Sequence, residues 1–92
     1  MKFEWDEAKS LACFEQRGFD FAYAAKAFFD PKRSIRPDDR RDYGEDRYRL
    51  FGDINGRIYV VVFTLRNGTI RIISAHKANQ REVRSYDNSI YG

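Results

Sequence analysis

The chain has 92 residues, with seventeen Lys or Arg against fourteen Asp or Glu and a formal net charge of +3. That length predicts one small domain over residues 1–92 with a thin core, since so short a chain buries only about 60–65% of its unfolded surface. A single Cys and a single His exclude a disulfide framework, a Cys-rich zinc site and a multi-histidine metal centre, and no apolar run approaches the roughly 18–20 residues of a membrane span.

Met1 to Asp6 carries no basic stretch followed by an apolar one, so no secretory signal is expected. The lone Cys13 fits a reducing, cytoplasmic setting. Lys2 to Trp5 alternates and predicts a short strand. Asp6 is a good N-cap for a helix over Glu7 to Arg17, with Ala8, Leu11, Phe14 and Gly18 on one side and Gly18 as the stop. Asp20 caps a second helix, Phe21 to Phe29, whose apolar stripe is Phe21, Ala24, Ala25 and Phe28. Asp30-Pro31 ends it. Arg33 to Arg36 suits an edge strand, and Pro37 to Gly44 a loop.

Arg47 to Ile54 predicts a strand, and Asn55-Gly56 a two-residue hairpin turn. Arg57 to Arg66 is the longest β-branched run and the expected central strand. Asn67-Gly68 is a second such turn, followed by a strand over Thr69 to Ala75. Asn79 with Glu82 three residues on resembles a capping box. It opens a last helix to about Ser89, with Val83, Tyr86 and Ile90 on one face. The predicted class is α+β: a short strand, two helices, an antiparallel meander and a C-terminal helix.

Two tight hairpins fix the register. Arg66 should face Thr69, Thr64 should face Arg71 and Val62 should face Ile73; across the other turn, Leu50 should face Val61 and Arg47 should face Thr64. Side chains alternate between faces. One face then carries Tyr48, Leu50, Tyr59, Val61, Phe63, Leu65, Ile70 and Ile72, and should pack on the first two helices. Ser74 and His76 fall at its far end. The other face carries Val60, Val62, Ile73 and Ala75 at one end and Arg47, Arg49, Thr64, Arg66 and Arg71 at the other, with Glu45 near Arg66.

Charge follows the same division. Residues 1–30 hold four basic and six acidic side chains, whereas residues 31–92 hold thirteen basic and eight acidic. Arg outnumbers Lys twelve to five, and the planar guanidinium fork matches phosphate oxygens. Like charges set opposite each other on a sheet cost up to about 1 kcal/mol per pair. A bound polyanion would explain such a cluster. Neutralisation by Glu45, Asp46 or Asp42 would explain it equally.

Several segments, in order, resemble the BrnT toxin family. Glu4-Trp5-Asp6 with Lys9, Gly18, and Phe21 before an Ala-rich helix resemble its opening. Asp30-Pro31, Gly44-Glu45 with Arg47, Gly56-Arg57, Thr64 with Arg66, and Arg71-Ile72-Ile73-Ser74-Ala75 resemble its body. Ala78, Glu82 and Tyr86 match its last helix. The resemblance implies a RelE-like fold and a ribonuclease toxin of a bacterial type II toxin–antitoxin pair. The implied partner is a BrnA-like DNA-binding antitoxin, in a toxin–antitoxin hetero-oligomer. Cys13, Arg17, Phe63 and His76 depart from the family's usual Asn, His, His or Tyr, and Arg. These departures keep a second reading open, an RNA- and antitoxin-binding module with weak or no catalysis.

RNA can be cut without metal or other cofactor when its own 2′-OH attacks the phosphorus, leaving a 2′,3′-cyclic phosphate and a 5′-OH. In that chemistry Arg47, Arg66 and Arg71 are the natural phosphate clamps, and Glu45 is either the base or a brace for an arginine. His76 has an intrinsic pKa suited to proton transfer, although the alternation turns it away from the arginines. Arg49, Thr64, Lys77 and Tyr43 are candidate substrate contacts, Tyr43 by stacking on a base. A DNA-binding regulator is disfavoured, because no helix-turn-helix with a basic recognition helix is evident.

Overall fold

The computed structural model describes residues 1–91, with side chains described through residue 88. The elements are β1 (Phe3–Trp5), α1 (Glu7–Arg17), α2 (Phe21–Ala24) continuing as a 3₁₀ segment (Ala25–Phe29), β2 (Ser34–Pro37), β3 (Tyr48–Ile54), β4 (Arg57–Arg66), β5 (Thr69–Lys77) and α3 (Gln80–Tyr91). They form a mixed α+β structure on one five-stranded sheet, in the order β1-β5-β4-β3-β2. Only the β1–β5 pair is parallel. No helix among the described residues is long and apolar enough to cross a membrane.

Local chemistry accounts for the element ends. Asp6 accepts from the Ala8 and Lys9 amides, and Gly18 closes α1 at φ 85° with its N–H on the Phe14 carbonyl. Asn55 and Gly56 at φ 51° and 87°, and Asn67 and Gly68 at 52° and 79°, supply the two consecutive left-handed residues of a type I′ hairpin turn. Asn79 and Glu82 form the reciprocal capping box at the start of α3.

α1, α2 and the 3₁₀ segment cover one sheet face over Leu50, Tyr59, Val61, Phe63, Ile72 and Ala75. Leu65, expected on this core face, is 56% exposed at its open end. The sequence reading of α1 is corrected: Leu11 and Phe14 are exposed, and the buried positions are Ser10 and Cys13. Small side chains let the helix sit close, and the Ser10 hydroxyl accepts from the Phe21 amide at 3.0 Å, tying α1 to α2. The second helix tightens to 3₁₀ geometry from Ala25. There the backbone presses on β3, and a Cβ on Gly52 would stand 2.5 Å from the Ala27 carbonyl oxygen.

α3 covers half of the other face, with Ala78 and Tyr86 buried against Phe51, Ile58 and Val60, and Val83 packed alongside. The Ile90 side chain lies outside the described residues. Two polar anchors hold this layer. Tyr86 donates to Asp30 Oδ2 at 2.6 Å, and Arg36 donates to the Ser85 hydroxyl and carbonyl. Asp30 also accepts from the Lys32 and Asp53 amides, so one buried carboxylate joins the end of the 3₁₀ segment to β3 and α3. Burial alone would raise its pKa. The Tyr86, Asp53 and Lys32 hydrogen bonds with the Lys32 charge outweigh that and hold it below the ordinary carboxylate range.

The β4–β5 register carries the main topological correction. Arg66 opposes Thr69 and Thr64 opposes Arg71, as the turn dictates, but Val62 opposes Ser74 rather than Ile73. The shift lies between Val62 and Phe63 and leaves Ile73 as the extra residue of β5. Beyond it the faces exchange. Ala75 enters the core against α1, and His76 turns to the α3 side opposite Val60. β5 also runs two residues further than expected, to Lys77.

Candidate functional site

The half of the second face that α3 leaves open carries the arginines. Arg49 on β3 opposes Val62 on β4, and Arg71 on β5 opposes Thr64 on β4. β1 adds Glu4 beside Arg71. Arg47 immediately precedes β3, two strand spacings from Arg71, or about 10 Å. Thr64 is buried between them and donates to the Asp46 carbonyl at 2.6 Å, fixing the entry to β3.

Each of the three predicted clamps carries a carboxylate partner. Arg47 Nε meets Glu45 Oε2 at 3.1 Å and Arg66 Nη2 meets Glu45 Oε1 at 3.3 Å. Arg71 Nη1 meets Glu4 Oε2 at 3.2 Å. Neutralisation by acidic neighbours is therefore present, through Glu45 and Glu4 rather than Asp42 or Asp46. It is incomplete. Arg49 forms no ion pair among the described residues, and its Nε is buried without an acceptor. Arg47, Arg66 and Arg71 thus share two carboxylates, and Arg49 has only the charge of Asp38 near it.

The pairs are single contacts between side chains that retain 24–52% exposure. Such pairs contribute little to stability, because water screens them and long side chains lose freedom in making them. A phosphate can replace those carboxylates at small cost. Arg40 on Asp38 is different: two bonds, at 2.7 and 2.9 Å, reach a carboxylate whose side chain is 0% exposed.

Glu45 bridges two arginines. Hydrogen bonds from Arg47 first and Arg66 second hold its carboxyl below the ordinary range, which favours a brace and weakens it as a base. Tyr43 lies against the same residues, with the Arg47 guanidinium carbon 4.1 Å from its ring centroid. Arg47, Tyr43, Glu45 and Asp38 line a shallow groove of about 380 Å³.

Two predicted site residues lie elsewhere. His76 shares the arginine face because of the bulge, but its row is four residues along β4 from Thr64, about 13 Å. Its Nε2 sits 3.1 Å from both Glu82 oxygens, at the start of α3. Lys77 opposes Tyr59 on the helix-covered side and lines a separate groove with Phe14, Tyr23 and Tyr59. Sequence reasoning missed Glu4 and Asp38: Glu4 reaches Arg71 through a parallel pairing 67 residues away in the chain, and Asp38 sits in a wholly polar stretch. Among the described residues no three His, Cys, Asp or Glu side chains are placed to hold a metal ion together.

Fold and site together define a small one-sheet α+β protein with a surplus of cationic groups at the uncovered end of a sheet face. A family model described as the ribonuclease toxin BrnT of type II toxin–antitoxin systems matches residues 5–82, and the chain belongs to that family. Membership implies ribonuclease activity, an RNA target and an antitoxin partner. No curated protein matches the chain.

Proposed function

We propose that this chain is a metal-independent endoribonuclease toxin with a RelE-like fold, cytoplasmic, and neutralised by a BrnA-like DNA-binding antitoxin. The arginine face is its RNA site. What supports the reading most is the convergence of Arg47, Arg66 and Arg71 from three neighbouring segments, with Arg49 beside them and its Nε without an acceptor.

In this mechanism an RNA phosphate displaces Glu4 from Arg71 and binds the open sides of Arg47 and Arg66, which keep Glu45. The 2′-OH gives its proton to water as its oxygen attacks the adjacent phosphorus, the bond to the 5′ oxygen breaks, and that oxygen takes up a proton from water. Arg47, Arg66 and Arg71 stabilise the charge that accumulates on the phosphoryl oxygens, and loss of one preorganised donor of this kind typically lowers the rate about 10²–10³-fold. Arg49 and Thr64 shape the phosphate path. Glu45 acts as a brace for Arg47 and Arg66. An acidic antitoxin segment fits the same surface, and charge complementarity speeds such an encounter at low salt.

The test is incubation of the purified chain with RNA in EDTA, followed by analysis of the product ends. Products with 2′,3′-cyclic phosphate and 5′-OH termini are expected. Cleavage that stops in EDTA and returns with magnesium would refute the mechanism. A second reading, an RNA- and antitoxin-binding module that does not cut, is favoured by one observation: His76 is held at Glu82, away from the arginines. Stable RNA binding with no cleavage under any condition would select it.

A further inference from the structure

The loop between β2 and β3 is organised around a buried charge. The Asp38 amide donates to the Arg47 carbonyl at 2.7 Å, closing the neck of the loop. The Asp38 carboxylate is buried and takes both bonds from Arg40. The Tyr43 hydroxyl reaches Asp38 Oδ2 at 3.4 Å. Arg47 then lies over the Tyr43 ring at 4.1 Å, with Arg41 at 5.7 Å. A carboxylate removed from water is unfavourable unless it is paired and hydrogen-bonded. Here the hydrogen-bond partners, Arg40 and Tyr43, belong to the loop itself, and the charge of Arg49 on β3 adds to them.

We propose that Asp38 and Tyr43 are positioning residues for Arg47: Asp38 fixes the loop, and the Tyr43 ring seats the Arg47 guanidinium so that it points at Glu45 and Arg66. The proposal rests on the reading of the arginine face as the RNA site only for its functional consequence. Arg47 occupies one face of the Tyr43 ring. On this proposal Tyr43 acts through that arginine in place of stacking on a base.

The test has a spectroscopic arm and a functional arm. A cation seated on an aromatic face has its N–H resonance shifted by the ring. In the full chain, the Arg47 Nε–H signal should be displaced from the random-coil position. The part of the displacement due to the ring should be lost in Tyr43→Leu and in Asp38→Asn, where only the Glu45 hydrogen bond still shifts the signal, and be regained in Tyr43→Phe, which keeps the ring. An Arg47 Nε–H signal at the same position in the wild-type chain and in Tyr43→Leu overturns the proposal.

The functional arm measures affinity for an RNA whose 2′ hydroxyls are methylated, so that it cannot be cut. Tyr43→Leu should weaken binding about two- to fivefold, the range expected for an exposed cation–π contact, and have no further effect in an Arg47→Ala background. Equal losses in both backgrounds would mean that Tyr43 contacts RNA itself, and would overturn the proposal. A displaced Arg47 signal together with unchanged RNA affinity in Arg47→Ala would instead leave the positioning intact and refute the RNA site.

Discussion

Removing the Tyr86 hydroxyl tests how the α3 layer is held. Tyr86 is 5% exposed and its hydroxyl donates to Asp30 Oδ2 at 2.6 Å. In Tyr86→Phe the ring still fills its place against Phe51 and Val60, and the change removes the hydroxyl that donates to a charged acceptor. Such bonds contribute about 1.5–3 kcal/mol. Asp30 keeps its Lys32 and Asp53 amide donors, which argues for the lower half of that range, about 2 kcal/mol. For a domain of this size each kcal/mol moves the melting temperature by about 4–8 °C, so Tyr86→Phe should melt about 8–16 °C lower by circular dichroism at neutral pH. Alkaline titration gives a second readout. Burial first, then the bond to Asp30, pushes the Tyr86 pKa far above the ordinary phenol value. Its contribution is therefore complete below about pH 10 and declines above it, where the unfolded hydroxyl ionises and the folded one does not. The wild-type chain should lose stability above pH 10 more steeply than Tyr86→Phe. A melting shift under 2 °C with identical alkaline limbs would refute the view that Asp30 joins α3 to the sheet.

Other positions give independent expectations. Gly52→Ala places a Cβ 2.5 Å from the Ala27 oxygen, so the 3₁₀ segment must move off the sheet; a loss of at least about 1–3 kcal/mol is expected, read from urea midpoints at constant slope. Asp30 and Asp38, both buried, have carboxyl groups held below the ordinary range. The stability they confer is present above about pH 4, the unfolded carboxylate value, and is lost as pH falls through their folded values, so an acid unfolding curve should show its transition below pH 4. Glu45→Gln removes the brace shared by Arg47 and Arg66: RNA affinity should rise at low salt while the cleavage rate falls, and a rise in both would show that Glu45 only competes with substrate.

The turns were the most legible part of the sequence. Asn-Gly pairs demand two left-handed residues in succession, and both hairpins formed where those pairs stand. Register was legible outward from each turn until the β5 bulge, because Ile72-Ile73-Ser74-Ala75 has no alternation strict enough to reveal an extra residue. That one residue decides which face His76 takes. In α1, Leu11 and Phe14 mark the apolar side by composition, yet Ser10 and Cys13 are buried; the Ser10 hydroxyl serves α2, a tertiary use that periodicity does not encode. At the site, Glu45 near Arg66 followed from pairing, whereas Arg47, expected opposite Thr64, stands just outside a ladder that begins at Tyr48. Glu4 required the parallel β1–β5 pair, and Asp38 required a loop folded around its own carboxylate.

The central claim is that the arginines of the open sheet face act on RNA. It is tested most directly by cleavage rates of Arg66→Ala and Arg71→Ala, each first shown to unfold cooperatively. Both are predicted to fall by about 10²-fold or more, as for loss of a preorganised transition-state donor. Wild-type rates in both variants would contradict the assignment and place the chemistry elsewhere on the molecule.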